Sequence, residues 1–280
     1  MRSNQLSYPP GEQYYTAIHY KGNTALMKIL RFSTPDLNPR YGWLHEDKVG
    51  FIDGDPFDAY RRFDPDLSVD SVRLLPPVLP GKIVCVGRNY QAHAQEHNTE
   101  VGEIPTLFLK PNSSLIGPGD PIILPPQSHQ VEHEAELVVV IGKRGRWIQP
   151  ENANDYVFGY TIANDVTARD LQRSDVQWTR GKGFDTFCPI GPWIETDFDP
   201  ADALITCHVG DQLRQMASTR DMVFTVPQLV VFISSIMTLE PGDLILTGTP
   251  AGVGELVAGL TVSINIEGLG TLVNPVVSER

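Results

Sequence analysis

The residues best equipped for chemistry are a file of acids and a short His–Glu pair. The run Val131-Glu132-His133-Glu134-Ala135-Glu136-Leu137-Val138-Val139-Val140-Ile141 has the alternation of a strand, in which every second side chain shares a face. Glu132, Glu134 and Glu136 then share a face with Val138 and Val140, while Val131, His133, Ala135, Leu137, Val139 and Ile141 take the other. Glu134 and Glu136 would stand about 7 Å apart, two like charges at the edge of a core. A hard divalent cation held by oxygen ligands relieves that repulsion; a wet face near a strand end relieves it equally well. Downstream, Asn164-Asp165-Val166-Thr167 places another acid where a strand hands over to a helix. Asp165 there is either a helix N-cap or a third carboxylate ligand. Three carboxylates completed by water describe an octahedral, Mg2+- or Mn2+-like site. His129 and His133 have zinc-helix spacing, but the segment reads as strand and its loop contains Pro125-Pro126, so zinc is not expected there.

In Gly87-Arg88-Asn89-Tyr90-Gln91-Ala92-His93-Ala94-Gln95-Glu96-His97, His93 and Glu96 stand three residues apart and share a face if the segment is helical. A carboxylate beside an imidazole fixes its tautomer and raises its basicity, which suits a general base acting on water; an exposed helical pair of this kind is also a common accident. A polar stretch bounded by Gly102 and Pro105 follows, as a lid would require. Lys182 lies in a Gly-flanked loop, where it pairs with a substrate carboxylate, sits beside a cation or is merely solvated. Thr247-Gly248-Thr249-Pro250-Ala251-Gly252-Val253-Gly254 is Gly-rich without dinucleotide spacing; it offers N–H groups to an anion or makes a tight surface turn. Neither a Gly-x-Ser-x-Gly elbow nor a P-loop is found.

The elements that must position these groups are short. The chain has 280 residues with 24 Gly and 23 Pro and no low-complexity block, so turns are frequent. Strands are expected over 25–32, 41–44 and 49–52, then 82–86, 107–110, 122–124, 131–141, 156–164, 205–209, 212–216, 261–266 and 270–277. Helices are expected over 90–97, 168–179 and 227–239; the last has Thr225 as N-cap, Pro227 in its first turn, Pro241-Gly242 as its stop, and a core stripe of Leu229, Val230, Ile233, Ile236 and Met237. Three prolines between Pro76 and Pro80 form a boundary. A small N-terminal β domain over 1–78 and a main domain over 79–280 are therefore expected, mostly β (α+β), as a mixed roll or barrel with few helices. Strands and helices do not alternate regularly, which disfavours Rossmann and TIM-barrel folds.

Lys and Arg number 22 against 34 Asp and Glu, a formal charge of −12. So acidic a chain repels nucleic acid at long range, and no nucleic-acid role is expected. No apolar run approaches the roughly 20 residues of a membrane span. The opening residues lack a basic stretch followed by an apolar one. Cys85, Cys188 and Cys207 fit neither a disulfide framework nor a zinc ribbon. A cytoplasmic protein without membrane attachment is expected.

The runs KIVCVGRNYQAHAQEH, PTLFLKPNSSLIGPGDPIILP, VEHEAELVVVIGK, GYTIANDVTARDLQ, KGFDTFCPIGPW and LTGTPAGVG, in that order over residues 80–275, resemble the fumarylacetoacetate hydrolase family. The first 75 or so residues match only as the variable N-terminal domain of some members. The resemblance implies a β-rich roll with Mg2+ or Mn2+ held by Glu134, Glu136 and Asp165. It implies His93 and Glu96 as the water-activating dyad of the short acylpyruvate-hydrolase branch, carried on its mobile lid helix, and Lys182 as the active-site lysine. Gln172 and Thr249 become substrate-binding residues, with Arg88 and Tyr90 in the same signature. The longer, animal-type hydrolase has a fourth acidic ligand with no counterpart here. The implied reaction is hydrolysis of a C–C bond in a small keto acid such as fumarylpyruvate. Decarboxylation of an oxaloacetate-like acid, isomerisation or decarboxylation of a 2-hydroxyhepta-2,4-diene-1,7-dioate, and a catalytically silent binding protein are the alternatives. Family members commonly form homodimers, and one is expected here.

Overall fold

The computed structural model describes residues 27–279. The beginning of the strand expected over 25–32 lies outside the described residues; its remainder falls within Lys28–Thr34. Among the described residues the fold is mostly strand, in three sheets. The largest is open and runs from Tyr60–Arg62 through Lys48–Gly54, Leu37–His45, Lys28–Thr34, Cys188–Glu195, Val157–Asn164, Ala135–Ile141, Leu244–Leu246 and Ile83–Gly87 to Thr106–Lys110. Ile122–Leu124, Gly270–Ser278, Thr261–Ile266, Leu204–Val209 and Gln212–Ser218 form the second sheet. A three-stranded patch joins Thr167–Ala168, Val131–His133 and Gly254–Glu255.

The central strand Ala135–Ile141 is buried along its whole length, and its period-two alternation feeds two cores. Leu137, Val139 and Ile141 enter the main core with Ile205, Leu229 and Ile264. Val138 and Val140 enter a second core with Ile83, Ile194 and Leu244. Apolar side chains on both faces make this strand the spine of the molecule, because neither face can be turned to water without losing burial.

The expected strand 131–141 is interrupted at Glu134. The Glu134 N–H donates to the Asn164 side-chain carbonyl at 2.9 Å, and its carbonyl accepts from the Asp165 N–H at 2.9 Å. Those bonds replace the regular ladder, and the chain leaves the small patch for the large sheet at that residue. The helix expected over 168–179 is likewise two short ones, Arg169–Ser174 and Thr179–Lys182, because Asp175 adopts an extended backbone and ends the first. Gln91–Glu96 is helical, and Val226–Ile236 is the longest helix among the described residues. The Gln228 side chain accepts from the Thr225 N–H at 2.8 Å, closing a capping box. Leu229, Val230 and Ile233 are buried as expected, but Ile236, at the last helical position, is exposed.

Candidate active site

Several element ends converge on one cavity of about 330 Å3. The end of strand Ile83–Gly87 brings Gly87 and the adjacent Arg88. The interrupted spine brings Glu134 and Glu136, and the residue after strand Val157–Asn164 brings Asp165. The two short helices supply Arg169, Gln172 and Lys182, helix Gln91–Glu96 (the expected lid) His93, and the Gly-rich loop Thr249. Of the ten residues expected at the site, eight line this cavity. Glu96 stands beside it, bonded to His93. Tyr90 does not line it: the ring is buried in the main core and its hydroxyl has no hydrogen-bond partner among the described residues. Trp178 and Phe108 add an aromatic wall, packed edge to face at 5.2 Å.

Glu134, Glu136 and Asp165 each offer an oxygen within 4.8 Å of the others, and all three are buried. Asp165 is not a helix cap; the helix that follows begins four residues later, after Ala168. The acids are heavily compensated by buried cations. Lys182 Nζ donates to Glu134 at 2.7 Å and to Asp165 at 2.6 Å. Lys110 Nζ donates to the other oxygen of Asp165 at 2.6 Å. Arg169 donates to Glu132 at 2.7 Å, to Glu134 at 2.6 Å and to the Gln172 side-chain carbonyl at 2.6 Å. Glu132 thus pairs with Arg169 and stays outside the trio.

Burial alone would raise the Glu134 carboxyl, but Lys182 and Arg169 outweigh it and hold the group far below the usual carboxylate range. Glu136 goes the other way: burial, then Asp165 and Glu134, push it well above that range. Glu136 therefore favours its neutral form: the pocket resists a third negative charge beside Glu134 and Asp165, and a bound cation would relieve that cost. The all-oxygen donor set suits a hard divalent cation. Such an ion must take oxygens of Glu134 and Asp165 from the Lys182 ammonium.

His93 Nδ1 lies 3.3 Å from Glu96 Oε2. Burial holds His93 below the ordinary imidazole range against the pull of Glu134, so its ring is neutral at pH 7. The Gly-rich loop uses its N–H groups on the chain's own anions. Gly248 donates to Glu136 at 2.8 Å, and Gly252 donates to both oxygens of Glu96 at 3.2 Å. The Thr249 hydroxyl donates to the Ala135 carbonyl at 2.9 Å and accepts from Gln215 at 2.8 Å.

Lys110, Arg169 and Gln215 were not anticipated. A lysine ending the apolar run Thr106-Leu107-Phe108-Leu109-Lys110 is a visible signal, as is an arginine four residues after Asp165. A glutamine in a hairpin strand carries none.

Residues 82–277 match the family model for the fumarylacetoacetate (FAA) hydrolase C-terminal region, and residues 27–77 match that for an Rv2993c-like N-terminal region. A mitochondrial oxaloacetate tautomerase of Bos taurus is 46% identical over 226 residues, spanning 76% of this chain and 72% of that one. The crystal structure of a 2-hydroxyhepta-2,4-diene-1,7-dioate isomerase from Mycobacterium marinum aligns with a TM-score of 0.84 at 45% identity, over 90% of this chain and 99% of that one. A maleylpyruvate hydrolase from Sphingobium sp. SYK-6, solved with manganese(II) and pyruvate, aligns with a TM-score of 0.75 at 34% identity, over 91% of this chain and all of that one.

Proposed function

The chain belongs to the fumarylacetoacetate hydrolase family, and from that premise we propose that it is a divalent-metal-dependent hydrolase cleaving the C–C bond of acylpyruvate-type acids such as fumarylpyruvate. The observation that carries this reading is the meeting, in one cavity, of a buried carboxylate trio with His93. Glu134, Glu136 and Asp165 would hold Mg2+ or Mn2+. A cation held there would supply Lewis-acid polarisation of an α-keto acid's oxygens and charge stabilisation for the developing enolate.

The remaining work belongs to side chains. Neutral His93 accepts a proton from water as the oxygen attacks the distal carbonyl, and Glu96, across its Nδ1, steadies the imidazolium that forms. Lys182, 2% exposed, sits between two of the acids and the cavity, so its ammonium can meet a substrate carboxylate once its present oxygens are taken. Gln172 lines the cavity and has its carbonyl engaged by Arg169, so only its NH2 donors are left to meet an anionic ligand. Thr249 is held rigidly by its two hydrogen bonds, and Arg88 adds a cation at the wall, 5.8 Å from the Trp178 ring centre. Collapse of the adduct breaks the bond between the attacked carbonyl carbon and the neighbouring methylene carbon, the pyruvate enolate leaves and takes up the proton held on His93, and pyruvate and the distal acid are the products.

A second reading is keto–enol tautomerisation or isomerisation of a related diacid, which needs the same enolate but no water. The isomerase and tautomerase relatives, at 45% and 46% identity, favour it. A screen of acylpyruvates, oxaloacetate and dienoate diacids with Mn2+, with products identified, separates the two. The hydrolase reading expects pyruvate release that falls roughly 10²- to 10⁴-fold in His93→Ala. Decay of the enol absorbance with no pyruvate released would favour the isomerase and overturn the hydrolase.

A further inference from the structure

The described residues hold a second set of convergent ligand atoms. His93, Glu96 and His97 lie on one turn of the lid segment, at spacings of three and four, and each offers a ligand atom within 4.8 Å of the others. The two imidazoles meet edge to face with centroids 4.7 Å apart. His93 Nδ1 and Glu96 Oε2 are 3.3 Å apart, long for a charge-assisted hydrogen bond of about 2.7–2.9 Å. The same separation equals the edge of a tetrahedron with bonds of ~2.0–2.1 Å, about 3.3 Å. His97 Nε2 is buried and has no hydrogen-bond partner among the described residues, a state that natural structures rarely leave uncompensated. Glu96 is held in place by the Gly252 N–H.

Donor type separates this set from the carboxylate trio. Two imidazoles and one carboxylate suit a borderline cation of the zinc class, whereas three carboxylates suit a hard one. We propose that His93, Glu96 and His97 form a separate Zn2+-binding site on the lid, and that its occupation shuts off turnover by engaging the His93 lone pair. Binding stands on the lid residues alone; the shut-off rests on the role proposed for His93.

The full chain, saturated with Mn2+, is titrated with Zn2+ while electron paramagnetic resonance follows aqueous Mn2+ and a chromophoric chelator follows free zinc. One equivalent of zinc is expected to bind without release of Mn2+, with at least tenfold weaker affinity in His97→Ala, and acylpyruvate turnover is expected to fall in step with occupancy. His97→Gln, checked for native circular dichroism, serves if the alanine variant does not fold. Release of Mn2+ one for one with zinc uptake, or unchanged zinc affinity in both His97 variants, overturns the site. Zinc bound at the lid with turnover intact overturns the shut-off and the role of His93 together, while the site stands. Should the chain take up no Mn2+, the proposed function falls, and the zinc titration still decides the inference.

Discussion

Lys182 holds two oxygens, one on Glu134 and one on Asp165, for which a dication bound to the trio would compete. The Lys182 ammonium persists against its burial because Asp165 and Glu134 pull its protonation upward, so without metal it serves as their counter-charge. Lys182→Met is expected to tighten Mn2+ binding, read by calorimetry. It should also cost the metal-free protein about 3–5 kcal/mol, the usual penalty for stranding one partner of a buried pair, and much of that loss should be recovered when Mn2+ is added. Unchanged Mn2+ affinity would show that the ion does not displace the lysine. His133 gives a separate test. It is fully buried, bonded through Nδ1 to Gln215 at 3.0 Å, and burial pushes it down to about 4. Its folded value lies below the ordinary one of about 6.5, so its contribution is complete above pH 6.5. As pH falls from about 6.5 towards 4, the unfolded chain takes up a proton that the native one refuses, and of order 3 kcal/mol is lost. Urea unfolding at pH 7.5 and 4.5 should show that loss, reduced in His133→Gln.

Among the elements, the Gly-rich loop does two jobs with one backbone. Its Gly248 N–H bonds Glu136, and its Gly252 N–H bonds Glu96 on the lid helix. Gly252 has a φ of 98°, and a Cβ there would lie 2.1 Å from the Arg214 carbonyl oxygen. Gly252→Ala must therefore move the loop, at a cost of ~1–3 kcal/mol for the backbone alone. Faster amide exchange across residues 91–97 and a lower melting temperature are expected. Exchange unchanged in that helix would show that the loop does not hold it. The interruption at Glu134 has a similar double use. It moves the chain between sheets and turns its acid to the pocket beside Asp165.

Over the whole molecule, the N-terminal strands share a sheet and a core with the strands that follow. Lys28–Thr34 pairs with Cys188–Glu195, with Ile29 opposite Ile194. Met27, Ile29 and Ile52 share a core with Val138, Val140 and Leu244. Shared burial couples the two parts energetically, so calorimetry is expected to show one unfolding transition. Two resolved transitions would show that the division near residue 78 is an energetic boundary as well as a break in the sequence.

Side-chain type and hydrophobic alternation act within a few residues, and what depends on them was readable in the chain itself. That covers the β-rich character, the Glu-x-Glu on an otherwise apolar strand, the capping of the helix after Thr225, and the clustering of acids that could hold a metal. Which cations would answer those acids was not readable, because Lys110 reaches Asp165 across 55 residues and Arg169 reaches Glu132 across 37. The same holds for Tyr90, drawn into the core from within a signature run, and for Ile236, left exposed at the end of a helix that buries Leu229, Val230 and Ile233. Those outcomes depend on where strands distant in the chain cross, since only the crossing decides which side chains share a low-dielectric interior and must be paired within it.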